Sequence, residues 1–177
     1  MVVVFLAQGF EEIEALTTVD ILRRAGLEVV MIGIDGLSVT GSHGITVRAD
    51  STALPPMNQI QAVVLPGGLP GTTHLDASPL VDTCLQQVNS DCLLCAICAA
   101  PSVLGKRGLL SGKRATCYPG YESQLHGALT AGNAVEMDDN CITAKGAGVA
   151  VDFALAMITQ LISPEKAKEI GDAMQCQ

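Results

Sequence analysis

Basic residues are scarce in this chain: ten Lys and Arg stand against eighteen Asp and Glu among 177 residues, a formal net charge of −8, with a pI near 4.7. Nucleic-acid binding depends on a basic face, so no nucleic-acid partner is expected. Aromatic side chains are only 3% and Trp is absent, so any core must be built from Val, Ile, Leu and Ala. Charged residues are 16% against 49% hydrophobic ones, a balance that excludes a disordered chain. No apolar run approaches the ~18 residues of a membrane span, so no membrane partner is expected either. Val2–Ala7 is apolar, but no basic flank precedes it and it stops at Gln8, which argues against a signal peptide. Internal repeats, low-complexity tracts and long linkers are also missing. The expectation is one domain over residues 1–177, large enough to bury roughly 70% of its unfolded surface.

What the chain does have is thiols, and strands that alternate with helices. Seven cysteines are an odd number for a disulfide scaffold, and a core-rich chain needs no staples, so reduced thiols and a cytoplasmic location are expected. Val2–Ala7 is apolar at every position, as in a strand covered on both faces. Glu11–Ala25 reads as a helix with acids in its early turns, closed by Gly26, and Leu27–Ile34 as a second buried strand, which makes a βαβ unit. Ser38–Asp50 predicts a small hairpin projecting from the sheet, around Gly41 and Gly44. Further strands are expected at Ala62–Leu65, Leu93–Cys98 and Cys141–Ala144, and helices at Pro79–Asn89, Ala99–Leu110, Val149–Ile162 and Pro164–Met174. The pattern is α/β: a flavodoxin-like, doubly wound, mostly parallel sheet sandwiched by helices.

Ligands of such sheets bind beyond the carboxyl ends of the strands, and three chemical features fall there independently. Cys98 ends a strand just before a predicted helix, where the partial positive charge of a helix N-terminus favours thiolate. Ala99 and Ala100 are small enough for a sharp turn that presents the sulfur. A buried inert thiol is an equally good reading of the position alone. Glu14 follows the first strand. Glu11 and Glu12 read as the solvated, dipole-favoured acids, whereas Glu14 sits among Ile13, Ala15 and Leu16 and is as consistent with half-burial as with exposure. If it lies beside Cys98, the two share one proton, and thiolate with protonated Glu14 is the favoured monoanion. Gly67-Gly68 after Pro66 reads as a turn whose N–H groups could face an oxyanion together with that of Ala99. Cys92, Cys95 and Cys98 have iron–sulfur spacing, but the period-two alternation of a strand turns Cys95 away from the other two. No metal and no cofactor is therefore expected. His43 in the hairpin, His74 in a loop and His126 read as surface residues.

Several of these segments together resemble the DJ-1/ThiJ/PfpI superfamily, in its parkinsonism-associated deglycase-like and intracellular protease I-like branch. They are Gly9–Glu14, Val19–Gly26, Val64–Gly68, Ala96–Pro101, and Gly146–Gly148 leading into Asp152–Leu155. The resemblance implies a homodimer with Cys98 as nucleophile, Glu14 as its protonated partner, and the Gly68 and Ala99 amides as the oxyanion pocket. It also implies a small carbonyl substrate, or a thiol or amine adduct of one, pocketed near Gly67. Activities attached to the family are glyoxal hydration, removal of early glycation adducts, amidase or peptidase action, chaperoning and oxidative sensing. Two departures stand out. Tyr118 occupies the place of the branch's usual histidine and is a poor base near pH 7. His43 stands where an arginine typically reaches the site from the partner chain, leaving Arg24 to attract anions. The hairpin's Val39, Ile45 and Val47 are expected to need cover, which a second copy could supply.

Overall fold

The computed structural model describes residues 1–176. The central sheet has six strands in the order β2-β1-β5-β6-β10-β9. They are β1 (Val2–Leu6), β2 (Val29–Gly33), β5 (Ala62–Leu65), β6 (Leu93–Ile97), β9 (Val135–Asp138) and β10 (Cys141–Ala144). The first five in space are parallel and β9 pairs antiparallel at the edge. Among the parallel strands this is the 2-1-3-4-5 order of a doubly wound sheet, whose switch point lies between β1 and β5.

Alternation along β1 explains why the sheet has a core on each face. Val2, Val4 and Leu6 pack into one cluster, under helices α1 (Glu12–Arg24), α5 (Ala150–Leu161) and α6 (Pro164–Ala173). Val3 and Phe5 pack into the other, under α2 (Gly71–Asp76), α3 (Pro79–Gln87) and α4 (Pro101–Lys106). The all-apolar strands are thus covered on both sides, as their lack of polar alternation required. A small parallel pair, β7 (Arg114–Ala115) with β8 (Leu129–Thr130), flanks the β9 edge.

Four local expectations change. Gly71–Asp76, read as loop, is helix α2, so His74 is helical and its Nδ1 donates to the Gln8 carbonyl at 2.9 Å. Helix α4 starts at Pro101 and is only six residues long; the chain turns away at Gly108, whose φ of 72° is outside the helical range. The hairpin β3 (Ser38–Thr40) with β4 (Thr46–Arg48) does not stand free. Val39 is 2% exposed in the α1-side core and Val47 packs against it, so only Ile45 remains uncovered. Glu12, read as solvated, is buried beneath the hairpin.

Candidate active site

Cys98 lies one residue past β6, at the start of the turn that leads to α4, with φ at 65°. A non-glycine residue there costs on the order of 1–2 kcal/mol and persists only where its surroundings over-determine it. Here its N–H donates to the Ala144 carbonyl at 2.9 Å, and its carbonyl accepts the Tyr118 N–H at 2.7 Å. The turn swings the sulfur off the strand's alternation, so Cys98 packs with the same core cluster as Cys95 while Cys92 belongs to the other.

Glu14 reaches the sulfur from the first turn of α1 and is 1% exposed. Its Oε2 accepts the Gly67 N–H at 2.8 Å, while Oε1 is buried with no hydrogen-bond partner. The Gly67 amide therefore anchors the acid, and the expectation that it faces an oxyanion is corrected. A Cβ on Gly67 would lie 2.6 Å from the Cys98 Cβ and 2.7 Å from Glu14 Oε2, so the pair closes around a position only glycine fits. The backbone amides of Gly68 and Ala99 lie beside the sulfur and favour its charged form.

Burial pushes the Glu14 carboxyl up to about 7, against the Gly67 amide and the neighbouring thiol. Burial, and then the carboxylate of Glu14, push the Cys98 thiol up to about 12, against the Ala99 and Gly68 amides. The helix N-terminus does not lower the thiol as the sequence reading expected, because α4 begins three residues later and the sulfur is desolvated. Both shifts describe one interaction: whichever group ionises first raises the other. The pair therefore takes on a single negative charge as pH rises through about 7 and keeps it well into the alkaline range.

The sulfur opens into a concavity of about 280 Å³ lined by Gly68, Leu69, Cys98, Ala99, Tyr118 and Tyr121. Leu69 and Tyr121 carried no signal in the sequence, since an isolated Leu after a Gly-Gly turn and a loop Tyr look like ordinary surface. A concavity of about 300 Å³ at Ile34, Asp35, His74 and Ser78 is comparable in size but contains no thiol.

Two residues expected at the pocket lie elsewhere within the chain. Arg24 sits ten residues beyond Glu14 on α1, about 15 Å along the axis, exposed and paired with Asp20 at 2.7 Å. His43 is held by Glu12, whose Oε2 meets its Nδ1 at 2.9 Å and whose Oε1 accepts the His43 and Ile45 N–H groups at 2.8 and 3.3 Å. Burial pushes Glu12 up, but the His43 side chain and the His43 and Ile45 amides outweigh it and hold the carboxyl at about 2. The Glu12 side chain and the partly buried acid Glu11 raise the His43 imidazole in turn. Glu11, Glu12 and His43 form the one cluster of three potential metal ligands among the described residues, and the Glu12 oxygens are already engaged.

The DJ-1/PfpI family model matches residues 1–160. The chain belongs to the DJ-1/PfpI family. It is 39% identical to Protein dj-1beta of Drosophila melanogaster over 176 residues, covering 97% of this chain and 94% of that one. It is 34% identical to the glutathione-independent glyoxalase DJR-1.2 of Caenorhabditis elegans, covering 90% and 87%. Among solved structures, oxidized Toxoplasma gondii DJ-1 superposes with a TM-score of 0.90 at 34% identity, covering 98% of this chain and 97% of that one. The DJ-1 fold and the family membership that the sequence motifs pointed to are thus shown.

Proposed function

We propose that this DJ-1/PfpI chain is a Cys98-dependent enzyme that converts small α-oxoaldehydes to hydroxy acids. The observation that carries the reading is the pairing of a buried carboxyl, its Oε1 unpartnered, with a thiol that two backbone amides face. At rest the carboxyl, at about 7 against about 12 for the thiol, gives up its proton first. The reactive form is the tautomer with the charge on sulfur, beside the Gly68 and Ala99 amides, and the proton on Glu14. The thiolate adds to the aldehyde carbon, and the oxygen takes the Glu14 proton beside the Gly68 and Ala99 amides, giving a hemithioacetal. The carboxylate then removes the carbon-bound proton and returns it to the adjacent carbon through an enediol, leaving a thioester of the 2-hydroxy acid. Water cleaves the thioester and restores the thiol, so the net change is addition of one water. Tyr118 supplies a hydroxyl and no base near pH 7, leaving Glu14 as the proton carrier. The name of the C. elegans relative supports the substrate class. Deglycation and amide hydrolysis would use the same nucleophile and oxyanion site.

Methylglyoxal turnover by the wild type should fall at least 100-fold in Cys98→Ser. Equal turnover would remove Cys98 from the reaction. A second reading, an oxidative sensor or holdase, draws on the same unpartnered Oε1, which could donate to a sulfinate oxygen, and on a relative solved as oxidized. Loss of turnover in both proteins together with a sulfinate mass on Cys98 would favour it. The reading places the chain, with its seven unbonded thiols, in a reducing cytoplasm as a homodimer through α1 and the hairpin. Among the described residues no helix is long and apolar enough to cross a membrane.

A further inference from the structure

The wall of the Cys98 pocket carries no charged side chain. Leu69 is 57% exposed and Tyr118 52% exposed, unusual for large apolar groups beside a nucleophile, and Tyr121 closes the remaining side. Tyr118 also separates this pocket from Lys145, which lines a neighbouring concavity with Gly146 and Val149. The one charge that reaches the pocket floor is the negative charge shared by Glu14 and Cys98, which repels anions. Two tyrosine side chains and an isobutyl group line about 280 Å³, apolar surroundings suited to a flat, neutral ring.

From this lining we infer that the site selects carbonyl compounds whose substituent is a neutral aryl group, with Leu69 and Tyr121 as the residues that set the preference. Tyr118 contributes the third wall but stands too near the reacting pair to isolate specificity. The inference rests on the reading of Cys98 as the nucleophile, and it names the substituent that reading leaves open. Within it, an arylglyoxal seats its ring between Tyr118 and Tyr121 and its aldehyde carbon at the sulfur. An oxoacid such as glyoxylate brings a carboxylate against the shared negative charge.

Pocket preference is separable from turnover by alkylating Cys98 with phenacyl bromide, iodoacetamide and iodoacetate. In each case sulfur displaces the halide, which leaves with the bonding pair. Rates are read by peptide mass mapping and divided by the rate of glutathione with the same reagent. The phenacyl-to-iodoacetamide ratio at Cys98 should exceed that of glutathione roughly 10-fold, and iodoacetate should fall below iodoacetamide. Leu69→Asn and Tyr121→Ala should each lower the phenacyl-to-iodoacetamide ratio at Cys98 roughly 3- to 10-fold. A ratio equal to that of glutathione, a ratio unmoved by both variants, or a preference for iodoacetate would overturn the inference. In parallel, kcat/KM for phenylglyoxal should exceed that for methylglyoxal. If neither is turned over, the proposed activity fails while the alkylation ratios still judge the pocket.

Discussion

At the residue scale, Glu14 sets a pH signature. Its carboxyl titrates at about 7 in the folded chain against an ordinary 4.5, so the folded state binds its proton more tightly than the unfolded state does. The stability this confers is complete below pH ~4.5 and is lost as pH rises through about 7, up to about 3 kcal/mol in all. Glu14→Gln removes the titration while keeping the shape and one acceptor for the Gly67 amide. The unfolding free energy of wild type minus that of Glu14→Gln, from urea titrations, should therefore decline between pH 4.5 and 7.5. A flat difference would mean that Glu14 is not held protonated beside Cys98. The position of Glu14 on the first helix was legible in its apolar flanks, and that of Cys98 in the strand followed by small residues. The direction of the thiol shift was not, because it depends on burial depth and on a carboxylate 84 positions away in sequence.

At the scale of elements, the hairpin is bound to α1 by a latch of polar contacts. Glu12 fills the space where a side chain on Gly41 would stand: a Cβ there would lie 2.3 Å from the Glu12 Cδ and Oε1. Gly41→Ala should expel the carboxyl from its hydrogen bonds and cost about 1–3 kcal/mol in chemical denaturation. Adding Glu12→Gln to Gly41→Ala should then cost much less than it does alone, and strict additivity would exclude the latch. The sequence showed strands more clearly than this contact. Ala62–Leu65 and Cys141–Ala144 were bounded correctly because apolar runs end at polar or Pro-Gly punctuation. Helix α2, six residues following Pro70, is too short to show a helical periodicity in the sequence. Glu12 looked solvated because its cover comes from residues some thirty positions on.

At the scale of the whole molecule, the hairpin core is satisfied within one chain, but two apolar side chains beside Glu12 and the hairpin are not. Ile13 on α1 is 55% exposed and Ile45 on the hairpin 54%, and Glu12 adjoins the first in sequence and bonds the backbone of the second. An isologous two-fold contact would bury both twice over and bring His43 toward the second copy's site. Sedimentation at micromolar concentration should give about twice 18.3 kDa, and Ile45→Glu should shift it toward monomer. A monomeric wild type would remove the interface and with it any role for His43 at the pocket.

The left-handed backbone at Cys98 has one more consequence. Glycine would relax that turn and asparagine would tolerate it better than cysteine does. Conformational ease and thiol chemistry therefore pull residue 98 in opposite directions. A lineage released from the need for the chemistry would gain robustness by discarding the nucleophile first, leaving an intact scaffold with a silent pocket.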